Sequence, residues 1–220
     1  MTIELYTGFV GSGKSFAATK TGVDIADAPF GNRYVIANFP ITEKKRLFHQ
    51  FRKKNKTIQP RWIYRKNADL TPKFLIEQSL HHGWNKKESS CLVMFDEASI
   101  PFNSRNWNSP DRLEWIEFLT QSRKFGYDFI FITQDGKMLD KQIRALCEYE
   151  AQHKKLNNTL YFKWLSLFRI TLFAQVSYWN GLKYSKGSLR LYLYSKKYAK
   201  RYDTLRLFNY EEETKNGETT

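Results

Sequence analysis

Gly8-Phe9-Val10-Gly11-Ser12-Gly13-Lys14-Ser15 has the form GxxxxGK[ST], a phosphate-binding loop in which each fixed position has its own task. The glycines let the backbone wrap so that successive amide N–H groups point inward at an anion. Lys14 is the residue that reaches β- and γ-phosphates, and the Ser15 hydroxyl is placed to ligate Mg2+. A helix starting near Lys14 would aim the positive end of its dipole at the same anion. The residues expected to hold a nucleoside triphosphate are therefore Gly8, Gly11, Ser12, Gly13, Lys14, Ser15 and Phe16.

The flanks agree with this reading. Ile3-Glu4-Leu5-Tyr6 alternates apolar and polar residues and stops before Gly8, as a short strand would. Lys14 to Ala28 is Ala-rich and free of proline until Pro29, which reads as a helix. Further along, Arg33–Phe39 reads as a strand closed by Pro40, and Trp62-Ile63-Tyr64 as a short one. Thr71-Pro72 supplies an N-cap and a proline at the first helical position, so a helix is predicted to about His82. Ser90–Phe95 is a continuous apolar run, the pattern of a fully buried parallel strand. Ser109-Pro110 reads as a second helix start. Trp115, Phe118, Leu119 and Ser122 fall on one face of that helix, which is predicted to reach about Lys124. Gly126 follows, then a buried strand, Asp128–Gln134. Buried strands alternating with helices predict an α/β fold: a mainly parallel central sheet flanked by helices.

Beyond Asp135 the pattern changes. Asp140–Leu146 reads as a short helix or turn, and Leu160–Phe173 and Gln175–Trp179 as β-prone segments. Leu189, Leu191 and Leu193 alternate with Arg190, Tyr192 and Tyr194, the pattern of a half-buried strand. The expected organisation is a core over 1–150 with a basic insertion at about 41–66. A β-rich extension of the same domain covers 151–207, and a polar tail over 208–220 is expected to be disordered.

At 220 residues the chain is long enough to bury a proper core. Its 36 Lys+Arg against 22 Asp+Glu give a net charge of +14, which points to a polyanionic partner, nucleic acid or an anionic membrane surface. The basic aromatic stretches Lys44–Lys66 and Tyr192–Arg206 are the expected nucleic-acid surface, with Lys and Arg on phosphates and Tyr and Phe stacked on bases. Cys91 and Cys147 sit in no metal-ligand spacing, which argues against a zinc site or a disulfide framework. No signal peptide is read at the amino terminus, and no stretch reaches the ~20 apolar residues of a membrane span. The expectation is a cytoplasmic protein.

A phosphate loop alone permits binding without hydrolysis. Leu92-Val93-Met94-Phe95-Asp96-Glu97 supplies the second element, an apolar strand ending in two carboxylates. Asp96 is placed to hold Mg2+ and Glu97 to polarise an attacking water. Gln134, at the end of the next buried strand, is the expected water-orienting residue near the γ-phosphate. An arginine stabilising charge on the transferring phosphate is often supplied by a neighbouring subunit. Arg123 is the first candidate, with Arg105 and Arg144 as alternatives.

Together these elements resemble the zonula occludens toxin-like (Zot) family, the assembly ATPases of filamentous phages, related to the FtsK–HerA type of DNA-pumping ATPases. The resemblance rests on Gly8–Ser15, on Phe95-Asp96-Glu97-Ala98 with Phe102 and Arg105, and on Leu113–Trp115 through Arg123 to Asp128. It continues through Ile132–Asp135 with Asp140–Leu146, then Lys197-Tyr198 and Tyr202–Thr204. It implies ATP and Mg2+ as cofactors and a homo-oligomeric ring, such as a hexamer, with shared active sites. It also implies viral DNA and virion or membrane assembly proteins as partners, and a place at the inner face of the membrane or with the virion. Family members typically continue through a membrane span, whereas this chain ends in a polar tail. It is read either as an excised cytoplasmic domain or as a member that reaches its membrane or capsid partner through another protein. Two other readings stay open on the residues themselves. A small-molecule kinase would need an arginine-rich lid and no water-activating carboxylate; a nucleotide-binding adaptor would need no Glu97.

Overall fold

The computed structural model describes residues 2–29, 31–42, 61–105, 111–180 and 187–202. The central part of the basic insertion, Ser109-Pro110, the residues past Tyr202 and the polar tail lie outside them.

The elements run in chain order as β1 (Ile3–Thr7), α1 (Lys14–Asp27), β2 (Tyr34–Ala37), β3 (Trp62–Tyr64), α2 (Pro72–His82), β4 (Cys91–Phe95) and α3 (Asp111–Gln121). There follow β5 (Tyr127–Ile132), α4 (Lys141–Leu146), β6 (Tyr149–Lys155), β7 (Leu172–Trp179), β8 (Ser188–Leu193) and α5 (Lys196–Ala199). The strands form one sheet in the order β3-β2-β4-β5-β1-β6-β7-β8. β1 to β6 are parallel, and β7 and β8 add on as antiparallel strands. The expected α/β fold is present.

Why the central strands are apolar throughout follows from the layers. Ile3, Leu5, Val93, Phe95, Phe129 and Phe131 turn to one face and pack against Leu75, Trp115, Phe118 and Ile143 of α2, α3 and α4. Their neighbours Tyr6, Leu92, Met94, Ile130 and Ile132 turn to the other face, where α1 covers them with Ala17, Ala18 and Val23. Each such large side chain removed from water stabilises the fold by roughly 1.5–3 kcal/mol. The predicted Thr71 cap holds, and α4 has a cap of its own. The Thr71 side chain accepts from the Phe74 N–H at 3.2 Å, and Asp140 caps α4 by accepting from the amides of Gln142 and Ile143. Both cysteines are free and buried.

Two expectations need correction, and one strand was not foreseen. β6 was not legible as a strand, because only Ala151 and His153 of its sequence turn inward while Gln152 and Lys154 face water. Leu160–Ser166 forms 3-10 turns rather than a strand. Asn157 pinches the base of that excursion, donating to the Ile170 carbonyl at 2.7 Å and accepting from the Leu172 N–H at 2.8 Å, so β7 begins only at Leu172. In β8 the half-buried pattern is inverted. Leu189, Leu191 and Leu193 are exposed, while Tyr192 turns inward to stack on Phe173 and Phe16. The inward face of this edge strand meets aromatic rings, and a flat ring fills that space where a leucine would not.

Candidate functional site

Adjacent strand ends build the site. β5 lies between β1 and β4, so the segments leaving the carboxyl ends of all three emerge side by side. Backbone hydrogen bonds stitch those segments together. The Gly8 N–H donates to the Gln134 carbonyl at 3.2 Å, the Thr133 N–H to Tyr6 at 3.0 Å and the Ala98 N–H to Ile132 at 2.8 Å.

The loop needs glycine at two positions for different neighbours. Gly8 has φ 142°, and a Cβ there would meet the His153 carbonyl oxygen at 2.5 Å. Gly13 has φ 95°, and its Cβ would lie 2.6 Å from the Phe173 ring. Gly13 is also the N-cap of α1 with no side-chain cap, and the Ala17 N–H donates to its carbonyl at 2.9 Å. The amides just upstream are the leftover donors of the helix, and with the helix dipole they make an anion site. Ser12 Oγ is buried in the loop without a hydrogen-bond partner, a donor that suits a phosphate oxygen. Lys14 Nζ donates to the carbonyls of Gly8 at 2.7 Å and Phe9 at 3.1 Å, which fixes the ammonium against the loop. Burial holds its pKa below the ordinary lysine value, and the charges of Glu97 and Asp96 oppose that shift.

Asp96 is buried where β4 ends, with an Oδ1 that accepts from Ser15 Oγ at 3.2 Å and from the Glu97 N–H at 3.0 Å. Its other oxygen accepts from the Tyr202 phenol. Its backbone is held at both ends by Asn38, whose Oδ1 accepts from the Asp96 N–H at 2.7 Å and whose Nδ2 donates to the Asp96 carbonyl at 2.8 Å. Glu97 adopts φ 49°, a left-handed conformation that costs a non-glycine residue of order 1–3 kcal/mol and recurs at functional sites. Its Oε1 accepts from Ser99 Oγ at 3.2 Å. Gln134 is exposed beside the loop. The Ser15 hydroxyl and the Asp96 carboxylate fit Mg2+, a hard cation bound by oxygen. Among the described residues no cluster of three His, Cys, Asp or Glu exists. A pair of protein oxygens completed by substrate phosphates is the usual pattern for Mg2+.

The structure thus brings Lys14, Ser15, Asp96, Glu97 and Gln134 together at the carboxyl ends of the central strands. Phe16, the next residue along α1, turns from the loop into an aromatic group with Phe173, Tyr192, Tyr194 and Tyr198. Arg123 does not join the loop of its own chain. It precedes the amino end of β5, at the opposite end of the strands, and pairs with Glu88 at 2.7 Å. Arg105 follows β4 and is exposed, and Arg144 on α4 donates to the Gly136 carbonyl at 3.2 Å. Of the expected nucleic-acid surface, Tyr192 and Tyr202 turn inward, and Arg201 bonds the Thr42 carbonyl and Asp27. Sequence reasoning missed Asn38 and Tyr202. A polar residue closing the apolar β2 was the available signal for Asn38, whereas the aromatic stretch and family motif that contain Tyr202 give no sign of its bond to Asp96.

His153 was missed as well. It is buried on β6, its Nδ1 lies 3.0 Å from the Ala151 carbonyl and its Nε2 has no hydrogen-bond partner. Burial pushes its pKa down to about 4. The unfolded chain, with an imidazole pKa of about 6.5, takes up its proton first as the pH falls. Stability is therefore lost between pH ~6.5 and ~4 as the unfolded state gains a proton that the fold refuses. Denaturant titrations at pH 7 and 4.5 should show a loss about 2 kcal/mol larger for the wild-type chain than for His153→Phe. Equal losses would count against a neutral buried imidazole.

Comparison with known proteins adds four findings. The family model described as Zonular occludens toxin (Zot) matches residues 2–196. The chain is 42% identical over 67 residues to the Gene 1 protein of Enterobacteria phage I2-2, a match covering 30% of this chain and 18% of that protein. The chain therefore covers less than a fifth of that relative's length. In fold it is similar to the N-terminal domain of zonular occludens toxin from Neisseria meningitidis, with TM-score 0.50 and 18% identity, covering 92% of this chain and 98% of that one. It is also similar to the genome packaging NTPase B204 from Sulfolobus turreted icosahedral virus 2 in complex with AMP, with TM-score 0.51 and 17% identity, covering 86% and 96%.

Proposed function

The chain belongs to the zonular occludens toxin (Zot) family, and from that premise we propose that it is an ATP-hydrolysing motor of phage assembly that moves the viral genome. The observation that carries this reading is the meeting of Lys14 and Ser15 with Asp96-Glu97 and Gln134 at the carboxyl ends of three adjacent strands. The loop amides and Lys14 bind and orient the triphosphate. Ser15 and Asp96 would hold Mg2+, which when bound would neutralise charge on the phosphates. Glu97 accepts the proton of a water whose oxygen attacks the γ-phosphorus, the bond to the β-phosphate oxygen breaks, and ADP and phosphate leave. Gln134 orients that water.

We take the working form to be a ring, with an arginine delivered to each site by the neighbouring subunit. Arg123, Arg105 and Arg144 are its candidates. The likeness to a genome packaging NTPase favours a translocated nucleic acid over a metabolite, as does the charge of +14. Residues 151–207 are taken as an extension of the same unit, since β6, β7 and β8 continue its sheet.

ATP turnover measured with and without single- and double-stranded DNA, alongside particle size, tests this. Turnover by an oligomer is expected to rise several-fold with DNA and to lose that stimulation as salt is added. Phosphate transfer to a small metabolite without hydrolysis would identify a kinase. Nucleotide binding without turnover under any of these conditions would identify an adaptor.

A further inference from the structure

The described segment after β8, residues 194–202, stays on the surface of the domain. It runs along α1 as a strap: Tyr194 stacks on Phe16 in the first turn, the Tyr198 hydroxyl donates to Asp24 at 2.7 Å and Arg201 bonds Thr42 and Asp27 near the last turn, and Tyr202 reaches Asp96. Between strap and helix lies a cleft of about 270 Å³ lined by Phe16, Thr19, Tyr194, Tyr198, Ala199 and Tyr202.

Three features of the cleft point to one ligand chemistry. First, it opens on Phe16, the residue after Ser15, so it begins where the phosphate-binding amides end. Thr19 stands four residues beyond Ser15, about 6 Å along the helix axis, a span that a ribose can bridge. Second, its walls are flat rings. Phe16 and Tyr194 stack with centroids 5.5 Å apart at 27°, and Tyr198 stands edge-on to Phe16 at 6.4 Å. The hydroxyls of Tyr198 and Tyr202 are taken up by Asp24 and Asp96. Third, the cleft contains a buried hydroxyl with nothing to bond. Thr19 is 1% exposed and its Oγ1 has no hydrogen-bond partner. A helical threonine ordinarily bonds the carbonyl four residues back, as Thr21 does to Ala17 at 3.1 Å. Thr19 does not.

We propose that this cleft is the nucleobase subsite, in which the base of a nucleoside triphosphate packs on Phe16, Tyr194 and Tyr198 and its polar edge bonds Thr19 Oγ1. The assignment rests on Gly8–Ser15 being the triphosphate site. It gives Phe16 a role through its ring, where the phosphate loop used only backbone. It also places base and metal carboxylate under one strap, because Tyr202 lines the cleft and bonds Asp96.

Calorimetric titration of the full chain with ATP and with inorganic tripolyphosphate, both with Mg2+, tests the subsite. ATP is expected to bind about tenfold or more tighter, because stacking on aromatic rings adds to the phosphate contacts. Tyr194→Ala should weaken ATP about tenfold and Thr19→Val, which keeps the side-chain shape, about fivefold. Neither should move tripolyphosphate affinity beyond about twofold, so tripolyphosphate binding also reports that each variant is folded. Equal affinity of the wild-type chain for both ligands would overturn the subsite and leave the phosphate site standing. So would variants that weaken both ligands alike, or neither. Failure of the wild-type chain to bind either ligand would overturn the phosphate site itself, and with it the subsite.

Discussion

Glu97→Gln should bind ATP with affinity within about twofold of wild type and hydrolyse it at least a hundredfold more slowly, since a positioned general base contributes roughly 10²–10⁴ in rate. The amide keeps the size and the acceptor oxygen of the carboxylate, so the bond from Ser99 Oγ can persist. What it cannot do is accept a proton. Glu97 sits in a left-handed conformation with its N–H donated to Asp96 Oδ1. The strain is therefore held by Asp96 next to it and does not depend on the side-chain charge. Equilibrium nucleotide binding and single-turnover hydrolysis check this directly. A variant that hydrolyses ATP within about tenfold of wild type would remove Glu97 from the chemistry and move attention to Gln134.

Lys14→Ala should abolish turnover and weaken ATP at least about a hundredfold, because charge-assisted hydrogen bonds to phosphate contribute about 1.5–3 kcal/mol each. The same substitution should leave folding nearly untouched. The ammonium is partly desolvated, with a pKa held below the ordinary lysine value, and among the described residues it bonds loop carbonyls alone. Removing it takes away a buried charge together with those bonds, so the denaturation midpoint should stay close to wild type. Loss of binding with an unchanged midpoint separates a ligand role from a scaffold role. A large drop in stability would show that Lys14 holds the loop rather than the phosphates.

Much of this site was legible because its parts are local. A phosphate loop is a run of eight residues whose glycines answer to backbone conformation, and Asp96-Glu97 announces itself by ending five consecutive buried apolar residues. Other parts were not legible because they depend on distant neighbours. Leu189, Leu191 and Leu193 read as an inward face only while the aromatic partners of Tyr192 are unknown. The polar sequence of β6 becomes a strand because β1 and β7 offer their edges to it. Leu160–Phe173 is rich in strand-forming residues, yet Asn157 ties its two ends together and leaves the part between them outside the sheet.

The sequence by itself determined the phosphate-loop motif, the acidic end of β4 and the α/β fold, since hydrophobic period, glycine placement and helix caps act over a few residues. Tertiary structure alone decided what surrounds that motif. Asn38 clamps Asp96 across 58 positions of chain and Tyr202 reaches it across 106. The strap that carries Tyr202 also makes the cleft over Phe16 and Thr19. Contacts at such separations are set by which strands lie side by side, and the packing of the whole sheet is what fixes that order.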